Sequence, residues 1–143
     1  MSRRFPRAIP QETYLLAVLR AARRLEAEGD RLFLAHRLTL PQFNVLNLLQ
    51  HYQPMPQSEL VQQLVVGKAS VSSVLAGLQK RGLVIQTSDP KDRRAKILLL
   101  SPQGAELWKK ASRVYLDGLR KRFPGMDAAV VQALERALGP CST

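Results

Sequence analysis

The sequence predicts a mainly α-helical fold that carries a single small β-hairpin. Apolar side chains recur at three- and four-residue steps along most of the chain, which is the period of helices buried on one face. Residues 83–100 differ, because two short runs rich in Leu, Val and Ile flank the turn-rich stretch SDPKDRR. The 143 residues have the length of one domain with its own core, so we expect residues 1–143 to form a single domain.

The first predicted helix covers about residues 10–37. Its apolar stripe runs from Leu15 to Phe33 in helical steps. At 1.5 Å per residue such a helix is about 40 Å long, which is longer than the rest of so small a protein can cover. We therefore expect part of the stripe to pack against another chain.

Three shorter helices follow in the sequence. Thr39 is the predicted cap of the first, with Gln42 at the capping-box position, and Gly82 is the predicted end of the third. The stretch YQPMPQ, with its two prolines, is typical of a loop between the first and the second. In the second helix the apolar residues expected to point inward are Leu60, Val61 and Leu64. The three helices are predicted at residues 42–51, 58–65 and 69–81.

The helix at 69–81 has an unusual outer face. Its inner face carries Val71, Val74, Leu75 and Leu78. The surface of its first turns is nearly all small or hydroxylated, because the residues expected to point outward are Ala69, Ser73, Ala76 and Lys80, with Ser70, Ser72 and Gly77 beside them. Solubility alone would favour Glu, Lys or Gln, which are better helix formers than Ser or Gly by roughly 0.5 to 1 kcal/mol each. A face this thin predicts a close approach to another surface.

The hairpin is followed by two more helices. Ser101 is a good cap residue and Pro102 a good first helical residue, so a helix starts there. It is predicted to break at residues 123–125, where the chain reads Phe-Pro-Gly, and the last helix covers about residues 127–138.

The charge of the chain points to a polyanionic partner. There are 22 Lys and Arg against 11 Asp and Glu, which leaves a formal charge of +11. The densest excess lies in residues 68–104, with 7 cations and 2 anions. Four of these seven cations stand in one short stretch of the hairpin, which contains Lys91, Arg93, Arg94 and Lys96 together with Asp89 and Asp92. Nucleic acid is the first candidate partner and an anionic membrane surface the second.

The order helix, helix, short turn, thin helix and hairpin is that of a winged helix-turn-helix, which we expect at about residues 40–100. A helix enters the major groove of DNA if its leading face allows close approach, and Ser hydroxyls can contact bases or phosphates. Arginines on the hairpin can enter the adjacent minor groove, where the negative potential is high. The predicted partner is therefore double-stranded DNA.

Four short motifs also resemble one family. They are L-x-x-x-G-L-V at residues 78–84, D-P-x-D-R-R at residues 89–94, Leu100-Ser101, and P-x-G at residues 102–104. With these motifs at this spacing, the chain resembles the MarR family of transcriptional regulators over nearly its whole length. The resemblance implies a repressor that forms a homodimer through helices at about residues 10–37 and 102–138, and reads a pseudo-palindromic operator.

The resemblance also assigns roles to residues. Lys68, Ser70, Ser72 and Ser73 correspond to the start of the recognition helix. Arg94 corresponds to the arginine that enters the minor groove, steered by Asp92, while Lys91 and Arg93 contact phosphates and Lys96 completes the DNA-binding set. The sequence departs from the family at Ser73 and Gly77, where many members carry charged residues, so DNA shape and the hairpin are expected to contribute more here. The alternative for the serines is helix capping, and for Arg94 with Asp92 a surface ion pair.

Family members often release DNA when a small aromatic or phenolic molecule enters a cleft between the dimer helices and the winged domain. Aromatic or cationic residues of the first, second and fifth helices are the candidate lining. They are His36, Arg37, Phe43, Tyr52 and Trp108, with core or surface packing as the alternative role for each. Some relatives sense peroxide through a cysteine of the first helix. This chain has none there, and its only cysteine is Cys141.

Other function classes find little support in the sequence. No catalytic triad, phosphate loop or paired carboxylates can be argued, and two histidines with one cysteine argue against a zinc site, so we expect no enzyme, cofactor or metal. The longest apolar run has six residues, and no secretory segment follows the basic start, so we expect a soluble, cytoplasmic protein without a membrane role. A winged helix that binds proteins, RNA or nucleic acid nonspecifically is the remaining alternative.

Overall fold

The computed structural model describes residues 11–64 and 70–139, and of these the side chains of 14–64 and 71–139. Lys68 and Cys141 lie outside the described residues. Within them the helices are α1 Gln11–Phe33, α2 Leu40–Tyr52, α3 Gln57–Gln63, α4 Ser70–Lys80, α5 Pro102–Arg122 and α6 Ala128–Leu138. The strands are β1 Met55–Pro56, β2 Val84–Ser88 and β3 Lys96–Leu100. The predicted fold class, mainly α with a small β-hairpin, is confirmed.

Strand β1 was not expected, because the sequence predicts a loop at YQPMPQ. Met55 pairs with Leu98 and Pro56 with Ile97, so β1 adds an antiparallel third strand and the sheet order is β1-β3-β2. The side-chain oxygen of Gln53 accepts a hydrogen bond from the backbone N–H of Leu100 at 2.7 Å and fastens this segment to β3. A strand of two residues is too short to show an alternating pattern, so only its pairing reveals it.

Helix α1 ends at Phe33, four residues before the predicted end at Arg37. A 3-10 turn, Leu34–His36, follows it, and Arg37 takes a left-handed conformation with φ 52°. The backbone N–H of Leu38 then donates to the carbonyl of Phe33 at 3.2 Å. Helices commonly end with a left-handed residue, followed by a residue whose N–H bonds back to a carbonyl of the last turn. The left-handed residue is usually glycine, but here it is Arg37, so the sequence does not reveal this helix end.

The start of α2 confirms the predicted capping box. Thr39 Oγ1 accepts from the backbone N–H of Gln42 at 3.3 Å, and Gln42 Oε1 accepts from that of Thr39 at 3.1 Å. Asp30 of α1 adds a contact from outside, since its Oδ1 accepts from the backbone N–H of Leu40 at 2.7 Å. The first turn of α2 therefore has most of its free N–H groups satisfied, and one of these bonds holds it to α1.

The core lies where α1, α2 and α5 meet the sheet and α4. Three aromatic rings join the three long helices, with centroids 4.4 Å apart for Phe33 and Phe43, 4.8 Å for Phe33 and Tyr115, and 5.3 Å for Phe43 and Tyr115. Burial raises the pKa of the Tyr115 hydroxyl. The largest fully buried side chains are Phe33, Val45, Leu46, Leu49, Met55, Leu60, Leu78 and Leu98.

One predicted core residue is not in the core. Leu60 and Leu64 of the α3 region are buried, as expected, but Val61 is 42% exposed. Helix α3 has only seven residues, so one narrow face of it meets the sheet. Val61 lies beside that face.

A buried junction connects α4, the hairpin and α5. Ser101 is 3% exposed, and its hydroxyl donates to the carbonyl of Gly82 at 2.6 Å while accepting from the backbone N–H of Gly104 at 3.0 Å. The backbone N–H of Ser101 donates to the carbonyl of Leu83 at 3.0 Å. Gly82 has φ +69° and so ends α4 in a conformation suited to glycine. A Cβ built on Gly104 would overlap the Leu83 carbonyl.

Helices α1 and α6 carry apolar side chains that are exposed in the described part of the chain. Leu15, Leu16 and Leu19 of α1 are 58%, 50% and 60% exposed. Helix α6 buries none of its side chains, although it carries Val130, Val131, Leu134 and Leu138. Within the described residues, no helix is both long enough and apolar enough to cross a membrane.

Replacing Gly104 with Ala tests the junction. The new methyl group must displace the Leu83 backbone, so we expect Gly104→Ala to lower the free energy of unfolding by about 1–3 kcal/mol in chemical denaturation. Gly125→Ala is the matched control, since a Cβ there meets no atom within 4 Å. Equal stability of the two variants would contradict the close contact at Gly104.

Candidate nucleic-acid interface

Helix α4 is held by one face and exposes the other. Val71 and Leu75 are buried at 4% and 3% exposure, and Leu78 is fully buried. Ser72, Ser73 and Ala76 are exposed on the opposite side. The backbone of Ser70 begins the helix, but its side chain is not among those described. The predicted thin outer face is therefore exposed at these three residues, whereas Gly77 is half-buried and lies close to α2, since a Cβ there would be 3.1 Å from Gln42 Nε2.

A side-chain bond joins α4 to the hairpin. The Nε2 of Gln79, near the end of α4, donates to the Oε1 of Gln86 on β2 at 3.0 Å. Five backbone-paired positions link β2 to β3, from Val84 with Leu100 to Ser88 with Lys96. The thin face of α4 and the hairpin thus belong to one connected surface.

The two aspartates of the hairpin shape its tip, residues 89–95. Asp89 Oδ1 accepts from the backbone N–H of Lys91 at 2.8 Å, and Asp92 Oδ1 accepts from that of Arg94 at 2.9 Å. Backbone bonds between Asp89 and Ala95 and between Ala95 and Asp92 close the turn. Short acidic side chains commonly stabilise turns in this way.

The cations of the hairpin are free to contact a partner. Lys91, Arg93, Arg94 and Lys96 are all exposed. The described ion pairs are Arg31 with Glu28 and Lys110 with Glu106, so in the described part of the chain none of the four hairpin cations is paired. Asp92 contacts the backbone of Arg94, and the surface ion pair considered as the alternative is not formed. Four unpaired cations on a protrusion can bind a polyanion.

A groove at the base of the hairpin brings in residues that the sequence did not single out. It has a volume of ≈ 320 Å³ and separates the start of α3 from the hairpin. Gln57 and Ser58 line one side, and Arg94 and Lys96 line the other. These residues are far apart in the sequence and meet only because β1 pairs with β3, so no local pattern predicts the groove.

The five candidate effector residues are not brought together. His36 and Arg37 lie before α2, Phe43 is 5% exposed within the aromatic core, and Tyr52 is 63% exposed at the far end of α2. Trp108 lies near that far end as well, since its ring is 5.6 Å from that of His51. The thirteen residues of α2 span about 20 Å, so a small aromatic molecule cannot contact both ends.

The far end of α2, which is its carboxyl end near His51 and Tyr52, has more side chains that could contact an aromatic molecule than its amino end has. Trp108 Nε1 donates to Asn47 Oδ1 at 3.0 Å, and the edge-on contact with His51 continues to Tyr52, whose ring centroid is 6.3 Å from that of His51. The described groove beside α1 and α5, of ≈ 470 Å³, is lined by other residues, among them Arg31, Asp117 and Lys121.

Residues 37–95 match the family model described as the MarR family. A relative from Bacillus cereus, an HTH-type transcriptional regulator, is 34% identical over 74 residues, which are 52% of this chain and 48% of the relative. The transcriptional repressor NicR of Pseudomonas putida is 37% identical over 71 residues, 50% of this chain and 45% of NicR. The chain thus spans about half the length of these curated relatives.

Similarity to a solved structure extends over nearly the whole chain. The structure of BpsR from Bordetella bronchiseptica has a TM-score of 0.77 and 26% sequence identity, and the match covers 95% of this chain and 99% of BpsR. That structure is described as showing how 6-hydroxynicotinic acid regulates the DNA binding of BpsR.

Replacing Asp92 tests how the tip is held. Asp92→Ala removes the acceptor of the Arg94 backbone N–H, so we expect that amide to exchange with solvent deuterium about fivefold faster, the equivalent of about 1 kcal/mol. Asp92→Asn keeps an acceptor oxygen and should exchange at nearly the original rate. Unchanged exchange in Asp92→Ala would show that the carboxylate does not order the tip.

Proposed function

Because this chain belongs to the MarR family, we propose that it is a sequence-specific regulator of transcription that binds double-stranded DNA. Its action is that of a repressor which a small molecule releases, and it has no catalytic role. The name of NicR as a repressor supports the direction of regulation, and the description of BpsR supports release by a small molecule.

The observation that carries this proposal is the connected surface of α4 and the hairpin. Its helix exposes Ser72, Ser73 and Ala76, and its hairpin exposes four cations without a described ion-pair partner. In the proposed complex α4 enters the major groove, and Arg94 enters the neighbouring minor groove. Lys91 and Arg93 contact phosphates, and Lys68 and Lys96 complete the DNA-binding set.

We assign the uncovered apolar side chains of α1 and α6 to contact with a second copy of the chain. Helix α6 buries nothing against its own described chain, and a helix of eleven residues is only marginally stable in water without such packing. Exposed apolar surface of this extent marks an interaction site. A twofold dimer would present two α4 helices and two hairpins to a pseudo-palindromic operator.

The effector is a small aromatic or phenolic acid in this proposal. Its site is at the far end of α2, where Trp108, His51 and Tyr52 cluster, and not at His36 and Arg37 or inside the core at Phe43. Trp108 is the only tryptophan of the chain, so its fluorescence reports occupancy directly. A panel of phenolic acids that produces neither a fluorescence change nor heat on calorimetric titration would argue against an effector at this end.

The direct test is titration of a fluorescent duplex taken from the DNA upstream of the coding region, beside a scrambled duplex, at two salt concentrations. We expect preferential, salt-sensitive binding with two chains per duplex. Equal affinity for both duplexes would favour nonspecific binding by charge. Equal affinity for RNA would favour the RNA alternative, and an absence of binding to either nucleic acid would favour a protein partner.

Arg94→Ala tests the role of the hairpin. We expect the variant to bind the preferred duplex about 1–3 kcal/mol more weakly and to lower the slope of log affinity against log salt by about one contact. Lys109→Ala is the control, because Lys109 is exposed on α5 and its replacement removes the same charge away from the hairpin. If both variants behave alike, net charge and not the position of Arg94 is responsible.

Val131→Glu tests the dimer. The side chain is 48% exposed in the single chain, and the proposed dimer buries it, so an added unpaired charge should shift the protein to monomers in sedimentation. Gln132→Glu adds the same charge to the next exposed position of α6 and should leave the dimer intact. Dimers in both variants would remove Val131 from the interface.

A further inference from the structure

The carboxyl end of α4 lies next to the carboxyl end of the 3-10 turn that follows α1. Helix α4 ends at Lys80, and the backbone N–H of Arg81 still donates to the carbonyl of Gly77 at 3.3 Å. The 3-10 turn after α1 ends at His36 and leads into Arg37. The last carbonyls of a helix lack partners within it and carry partial negative charge, so a cation between two such ends is stabilising.

Arg81 supplies that cation. Its Nη1 donates to the carbonyl of Arg37 at 2.6 Å, and its Nη2 donates to that of His36 at 3.2 Å. In the described chain these are the only side-chain hydrogen bonds between the end of α4 and residues 34–39. They join positions 44 and 45 residues apart in the sequence. The two amino groups of one planar guanidinium hold two successive carbonyls, which a lysine cannot do with the same geometry.

The corner that Arg81 contacts is itself held firmly. Leu38 is 3% exposed, and its N–H is bonded to Phe33. Asp30 of α1 accepts a hydrogen bond from the backbone N–H of Leu40 at the start of α2, and Thr39 forms the capping box. Arg81 therefore connects α4 to a corner whose position is set by α1 and α2, and not to a loose loop.

We infer that Arg81 is a positioning residue, which sets the direction of α4 relative to the α1–α2 corner and so determines how well the protein distinguishes its operator from other DNA. This inference rests on the proposed function. In a dimer that reads two half-sites, a change in the tilt of α4 spoils the fit at both. Nonspecific binding depends on charge near phosphates and tolerates such a change.

The test compares Arg81→Ala with Lys80→Ala and Arg81→Lys. Each alanine variant removes one cation at the end of α4, and Lys80 is exposed without a described hydrogen bond. The measurement is the affinity ratio between the upstream duplex and the scrambled duplex at one salt concentration, taken on the folded fraction of each variant. We expect Arg81→Ala to lower this ratio about tenfold, Lys80→Ala to leave it unchanged, and Arg81→Lys to restore part of it.

Equal loss of affinity for both duplexes in Arg81→Ala would make Arg81 a phosphate contact and overturn the inference. A lower melting temperature with an unchanged ratio would overturn it as well, because the role would then be stability alone. A second readout needs no DNA. Hydrogen exchange at the end of α4 and at residues 36–40 should speed up in Arg81→Ala and not in Lys80→Ala, and unchanged exchange would overturn the inference.

The two readouts also separate this inference from the proposed function. If the unmodified protein shows no preference for the upstream duplex while Arg81→Ala still loosens the corner, the positioning of α4 stands and the operator reading fails. If the preference exists but the ratio is unchanged in Arg81→Ala, the proposed function stands and the role of Arg81 fails.

Discussion

The arrangement of α4 and the hairpin, the proposed DNA-binding surface, depends on the buried junction around Ser101. Four segments meet there, namely the end of α4, the start of β2, the end of β3 and the start of α5. The Ser101 hydroxyl bonds Gly82 and Gly104, and the close approach of Gly104 to Leu83 leaves no room for a side chain. These contacts hold the start of α5 against the segment that leads from α4 into β2. The junction also explains the spacing of the motifs that resemble the MarR family.

The acidic residues of the hairpin bond to its backbone, and in the described residues they form no ion pair with its basic side chains. The carboxylates of Asp89 and Asp92 accept hydrogen bonds from backbone N–H groups of the tip. The basic side chains therefore project from a turn that is already ordered, and less conformational freedom is lost when they bind. A protein whose exposed α4 face is mostly Ser and Ala has few long side chains with which to read bases, so this prearranged hairpin takes a larger share of recognition in the proposed complex.

The remaining framework connects this surface to the proposed dimer. Aromatic packing of Phe33, Phe43 and Tyr115 joins α1, α2 and α5 into one unit. Arg81 connects α4 to the corner of that unit, and Gln79 connects α4 to the hairpin. These contacts link α1, α2 and α5 to both α4 and the hairpin.

The sequence by itself determined most of the secondary structure and the character of the hairpin. Helix periods, the capping box at Thr39, the cap at Ser101 and the stop at Gly82 depend on residues within one turn of each other, so local patterns predict them. Strand β1, the early end of α1 and the Arg81 contact were decided only by the tertiary structure. Each depends on groups that are distant in sequence, or on backbone carbonyls that every residue carries alike. The five effector candidates failed to meet for the same reason, since chemical type does not specify position along α2.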